Sequence, residues 1–151
     1  IERVDCHEWS QSFLQDVSMD CHAKDIEIET SYDDSSSDRT YMDIDIHQLE
    51  RALQNILDNA YRYTKEVLEL SVTNKDDLLF ITIKNDGAEI KDGSLEQIFQ
   101  RFYTNNQHNA EGHLGLGLFI AKTLITAMKG HLEATIQKDV ITFTVSIPLN
   151  H

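Results

Sequence analysis

Positive charge is scarce in this sequence. Lys and Arg total 13 against 26 Asp and Glu, a formal net charge of −13. Binding to a phosphate backbone rests on clustered cations, so nucleic acid and anionic membrane are excluded as main partners. Any phosphate this chain holds belongs to a small ligand, gripped by a few placed groups and a divalent metal. Cysteine is nearly absent too. Cys6 and Cys21 are the two, too few for a disulfide framework, and they are expected as reduced thiols, with a Cys6–Cys21 bridge as the alternative. No apolar run approaches the roughly 18–20 residues that span a bilayer, and no signal peptide is visible. The histidines show no metal-ligand spacing. The chain begins at Ile1 without methionine. It is therefore expected to be a piece of a longer protein, whose membrane segments, if any, lie outside it.

What is present is enough for one globular domain: 151 residues, 40% hydrophobic and 8% aromatic. The most informative stretch is Asp45 to Thr64, DIHQLERALQNILDNAYRYT. At roughly 100° per residue, Leu49, Leu53, Ile56, Leu57 and Ala60 form one stripe, suited to a core. Asn55, Asn59 and Arg62 gather on the opposite side, with Tyr63 at the seam. Asparagine favours caps and turns over helix interiors, so two of them one turn apart need a reason. A neutral oxygen ligand for a hard cation, beside a guanidinium for phosphate, is one such reason; a solvated polar face is the other.

The remaining elements follow from period. Residues 7–23 carry Trp9, Phe13, Leu14 and Val17 at helical spacing. Ile26–Glu29 alternates as a strand, and SYDDSSSD (31–38) reads as a solvated acidic loop without the glycine and terminal glutamate of a calcium loop. Tyr41–Ile44 is a short strand, and Asp45 caps the asparagine-bearing helix. Val67–Thr73 and Leu78–Lys84 form a hairpin around residues 74–77, ending on Asn85-Asp86-Gly87. Leu95–Phe102 is a short helix, and the polar tract 104–113 is too long for a tight turn. It empties into the glycine run Gly112–Gly117 and a further helix, FIAKTLITAMK, before a last strand pair, His131–Gln137 and Val140–Ile147. This order predicts an α+β two-layer sandwich, a mixed and mostly antiparallel sheet packed against about three helices.

Two of these segments carry chemistry besides the asparagine helix. Glycines before a helix allow close backbone approach, and the first N–H groups of that helix point at an anion. A polar side chain at a strand end, as in Asn85-Asp86-Gly87, can accept from an exocyclic amine. Each has an ordinary alternative, a flexible helix entry and a plain turn. Their order and spacing together resemble the ATP-binding catalytic domain of bacterial sensor histidine kinases, within the wider ATPase group that includes gyrase B, Hsp90 and MutL. ALQNILDNAYRYT looks like that family's asparagine box, NDGAEI its first glycine box, IFQRFY its phenylalanine box and GHLGLGLFIAK its second glycine box. RVDCHEW resembles the entry segment and TFTVSIPL the closing strand, so the likeness covers essentially residues 1–151.

The resemblance implies a Bergerat-type ATPase fold with an ATP lid, and Mg²⁺ and ATP as cofactors. It implies that Asn59 binds Mg²⁺, that Asn55 holds the metal's water shell and that Arg62 stands near the phosphates, these three being the catalytic set. Tyr63 is expected to pack on adenine and Asn85 to accept from its amine, with Gly87 and Ile90 as the pocket floor. Gly112, Gly115 and Gly117 are expected to bring backbone amides to the phosphates while Leu116 and Leu118 anchor the helix. Residues 104–113 form the lid, with Phe99 and Phe102 at its root. The chain departs from the pattern at five points: Arg62 replaces a lysine, Asn85 an aspartate, Glu89 a glycine, Thr104 an arginine and Val140 a third glycine. Asn85 is preferred over Asp86 as the amine acceptor because a one-residue step turns a side chain to the other face. The implied function is a histidine kinase that phosphorylates a histidine on a dimerisation domain lying outside this chain, for relay to a response regulator. The intact protein is expected to be a membrane-anchored homodimer with this domain cytoplasmic. The alternatives are a degenerate nucleotide-binding module and a stand-alone serine kinase of the anti-sigma-factor type.

Overall fold

The computed structural model describes residues 1–36, 38–88, 95–101 and 116–150. In chain order these form β1 (Glu2–Asp5), α1 (Cys6–Ala23), β2 (Glu27–Asp34), β3 (Tyr41–Ile44), α2 (Ile46–Tyr63), β4 (Val67–Lys75), β5 (Leu78–Asn85), a 3₁₀ turn (Leu95–Phe99), α3 (Gly117–Ala127), β6 (His131–Gln137) and β7 (Val140–Pro148). Strict alternation builds the sheet. Leu68, Leu70 and Val72 of β4, Leu79, Ile81 and Ile83 of β5, and Ile141, Phe143, Val145 and Ile147 of β7 are all buried. The residues between them are half-exposed and polar for the most part, so only one sheet face carries a layer. That layer is helical. α2 contributes Leu49, Ala52, Leu53, Ile56, Leu57 and Ala60, α1 contributes Trp9, Leu14 and Val17, and α3 contributes Ala121 and Ile125. The strand order is β2-β4-β5-β7-β6, with β2–β4 parallel and the other pairs antiparallel. This is the α+β two-layer sandwich expected from the sequence.

Three local expectations change. Residues 31–34, read as loop, complete β2, with Ser31 to Asp34 pairing in register with Ser71 to Asn74. As an edge strand, β2 pairs on one side only, and its charges protect the open edge at little cost, which hides its alternation. Residues 2–5, read as a lead-in, form β1 and pair antiparallel with β3. The Arg3 guanidinium grips Asp43 through Nε–Oδ1 at 3.0 Å and Nη2–Oδ2 at 3.1 Å. The expected helix Leu95–Phe102 is a 3₁₀ turn over Leu95–Phe99, and Phe102 falls outside the described residues. The β4–β5 connection is tighter than expected. Asp76 and Asp77 both have positive φ, 56° and 60°, as in a two-residue type I′ loop. Cys6 and Cys21 are buried free thiols. They stand at opposite ends of α1, about 22 Å apart at 1.5 Å per residue, so the alternative of a bridge between them is set aside.

Candidate functional site

α2 begins where the Asp45 side chain accepts from Gln48 N at 3.3 Å. It ends where Thr64 turns both its N–H and its hydroxyl back onto Ala60 O, at 2.9 and 2.6 Å. Its apolar stripe faces the sheet, which turns Asn55 and Asn59 toward a half-buried flank. The Asn55 Nδ2 donates to Arg51 O at 3.0 Å, leaving Oδ1 to face α3. A Cβ added to Gly117 would stand 3.3 Å from that Oδ1, so the first residue of α3 lies directly against the carboxamide. α3 has no side-chain cap, and Leu116 precedes it in helical conformation. Its first N–H groups therefore have no partner within the helix. The polar edge of α2 and the start of α3 are thus in contact at Asn55 and Gly117. Leu116, Gly117 and Leu118 are all half-buried there. Behind them, Lys122 Nζ donates to Leu132 O and stands 5.1 Å from the centre of the Phe99 ring. Phe99 meets Phe143 edge-on at 6.3 Å.

The far end of β5 meets the end of α2. Asn85 pairs with Leu68 and Ile141 and continues the buried row of Leu79, Ile81 and Ile83. It is 1% exposed. Its Nδ2 donates to Asp86 O at 2.7 Å, which fixes the amide's orientation, and its Oδ1 is buried with no partner among the described residues. One residue on, the Asp86 carboxylate turns the other way and accepts from Lys65 N at 2.8 Å and Glu66 N at 2.9 Å. Gly87 follows at φ +77°, where a Cβ would fall 2.2 Å from Tyr63 O and 3.0 Å from Lys65 Cγ. Only glycine permits that approach. It presses the end of β5 onto the end of α2. Tyr63 is half-buried at this junction, and the exposed Arg62 guanidinium stands 5.6 Å from its ring centre.

Residues 44–151 match the model of the family described as histidine kinase-, DNA gyrase B-, and HSP90-like ATPases. The chain belongs to this ATPase family. It is 33% identical over 104 residues to the sensor histidine kinase CssS of Bacillus subtilis, covering 69% of this chain and 22% of that protein. The chain spans about a fifth of the length of the curated relatives it matches. Among solved structures, the mycobacterial sensor histidine kinase MprB superposes with a TM-score of 0.75 at 23% identity, covering 99% of this chain and 97% of that one. Full-length ShkA in complex with AMPPNP gives 0.75 at 22% identity, covering 98% and 31%. These likenesses establish that the fold is that of histidine kinase catalytic domains.

Within this ATPase domain, Asn55 meets Gly117 at the start of α3, flanked by Leu116 and Leu118, and Gly87, two residues after Asn85, meets Tyr63 at the end of α2; Asn59 and Arg62 lie on α2. Ile90, Phe102, Gly112 and Gly115 lie outside the described residues, as do the tract 104–113 and the departures at Glu89 and Thr104. Among the described residues no group of three or more His, Cys, Asp or Glu is arranged to hold a metal. The ligand expected from the sequence, Asn59, is a carboxamide and stands apart from that class. No described helix is long and apolar enough to cross a membrane. Sequence reasoning missed the work of Asp86. It weighed that carboxylate only as a rival acceptor, whereas its oxygens are engaged by the backbone that follows α2. The available signal was parity: inward Asn85 leaves Asp86 facing the loop.

Proposed function

We propose that this chain is the Mg·ATP-binding catalytic domain of a two-component sensor histidine kinase. The observation that carries the reading is the contact of Asn55 with Gly117, which unites a carboxamide edge and an uncapped helix start in one cleft. The Asn85 Oδ1, buried with no partner among the described residues, supports it as an acceptor for an exocyclic amine. Mg·ATP, when bound, supplies the γ-phosphoryl group and a cation that offsets its charge. Asn59 offers a side-chain oxygen to the metal, and Asn55, its Nδ2 already engaged, offers Oδ1 to the metal's water shell. Arg62 contributes positive charge near the phosphates, and the N–H group of Gly117 at the start of α3 faces them. Leu116 and Leu118 hold the start of α3. Tyr63 presents a ring to adenine, with Gly87 beneath it.

The acceptor is a histidine on a neighbouring dimerisation domain, and the phosphoryl group passes from there to a response-regulator aspartate. Residues 1–151 make up a single domain of an intact, membrane-anchored homodimer with this part in the cytoplasm. Titration with Mg²⁺ and ATP tests the assignment: Asn59→Ala abolishes Mg-dependent binding, and an unchanged affinity overturns it. A second reading has a specific observation in its favour. Asn85 accepts without a charge, which weakens its bond by about 1 kcal/mol relative to a carboxylate and suits a module that holds nucleotide without kinase activity. Incorporation of γ-phosphate by the intact protein excludes that reading.

A further inference from the structure

A pocket of about 190 Å³ lies between α1 and α2, on the flank of α2 roughly half a turn away from Asn55 and Asn59. Its floor is apolar, made by Val17 and Leu57, both buried. One wall is the stacked pair Trp9 and Phe13, with ring centres 4.9 Å apart and planes 9° from parallel. The rim is acidic: Asp16 and Asp20 from α1, Glu50 from α2. Glu50 Oε1 accepts from Trp9 Nε1 at 3.3 Å, which holds the indole upright. None of the three carboxylates has a salt bridge among the described residues. Lys24, the lysine that ends α1, directs its Nζ to the Tyr61 ring, 5.6 Å from its centre. Met19, between Asp16 and Asp20 in sequence, is 64% exposed.

We propose that this pocket is a docking site for a basic amphipathic helix of a partner protein. A groove between two helices accepts a third by ridge-and-groove packing. Its apolar floor and aromatic wall seat an aliphatic side chain, with Met19 extending the contact outward. The acidic rim, on a chain of net charge −13, selects Arg or Lys beside that anchor, and the Trp9 face adds a cation–π contact. The site is independent of the nucleotide cleft.

Trp9 is the single tryptophan, so its emission reports on the pocket directly. The probe is a synthetic helical peptide with Leu and Arg four residues apart, titrated at about 0.15 M salt, where non-specific attraction is screened. The controls are a scrambled peptide of the same composition and free arginine amide. The helical peptide shifts Trp9 emission and binds at least about tenfold tighter than the scrambled one, and the double variant Asp16→Asn, Asp20→Asn loses about tenfold. The variant keeps its urea midpoint and its Mg·ATP affinity. Equal binding of the two peptides, an unmoved emission spectrum, or full affinity in the double variant overturns the proposal. So does saturation by arginine amide at the concentration of the peptide, which makes the pocket a small-cation site.

Discussion

Replacing Asn85 by leucine separates what the fold needs from what the ligand needs. Two opposing effects act on the free protein. The variant loses the 2.7 Å bond from Nδ2 to Asp86 O, at about 0.5–1.5 kcal/mol. It also removes a buried acceptor with no described partner, whose burial costs about 1–3 kcal/mol. Leucine has a similar shape and continues the row of Leu79, Ile81 and Ile83, so packing is conserved. The effects nearly cancel, and the variant unfolds within about 1 kcal/mol of the parent or slightly later. Nucleotide binding loses a buried hydrogen bond with nothing in exchange, a drop of about 5- to 150-fold in affinity for about 1–3 kcal/mol. Urea unfolding followed by Trp9 emission and calorimetric titration with Mg·ATP measure the two sides separately. A variant destabilised by more than about 2 kcal/mol that retains full affinity would refute the reasoning, because Asn85 would then be a structural residue.

Gly87→Ala places a methyl where Tyr63 O stands at 2.2 Å and holds alanine at positive φ; a loss of about 2–4 kcal/mol is expected in urea unfolding, and a loss below about 0.5 kcal/mol contradicts the close approach. Asp86→Ala frees the backbone N–H groups of Lys65 and Glu66; a stability loss of about 1–2 kcal/mol is expected, with faster hydrogen exchange at those two amides and slow exchange retained in β4. Alkaline pH destabilises the domain. Burial, reinforced by the nearby charges of Asp5 and Asp34, pushes the Cys6 thiol up to about 11 from an ordinary 9.0. The native state therefore keeps a proton that the unfolded chain releases, and stability is full below pH 9 and falls from there to about 11. The half-buried phenols of Tyr32 and Tyr61 are shifted the same way by desolvation and deepen the loss above pH 10. A urea midpoint that stays level between pH 9 and 11 contradicts this.

Much of the fold was legible because its central elements repeat one signal. Leu49, Leu53, Ile56, Leu57 and Ala60 recur at helical period over about three turns, and all are buried as expected. β5 and β7 alternate without a break, so parity alone turned Asn85 inward. The misreadings come from elements that cannot show a period. β1 has four residues, too few for alternation to register. β2 is an edge strand whose outward residues and inward Thr30 are exposed alike, and its pairing with β4 depends on a strand more than thirty residues on. Two features of the site were beyond any local pattern. The Asp86 carboxylate reaches back some twenty residues to Lys65 and Glu66, and the Asn55–Gly117 contact joins residues from two helices. The resemblance to a known family supplied the second and was silent about the first.

These contacts act together. Gly87 against Tyr63 O locks β5 to the end of α2, Asp86 fixes the two residues that leave α2, and Gly117 against Asn55 locks α3 to its middle. Each is a backbone-level constraint that a side chain change cannot relax without moving an element. Among the described residues Asn85 Oδ1 is buried without a partner, as are Ser10 Oγ, Gln48 Oε1 and Tyr61 OH elsewhere on α1 and α2; Asn85 differs from these three in standing at a strand end beside the α2–β5 junction. A sequence consistent with its fold at every other level tolerates unsatisfied buried groups where a ligand completes them. The unsatisfied Asn85 Oδ1 therefore adds to the Asn55–Gly117 contact as a physical argument for a binding site, one that the Asn85→Leu variant tests directly.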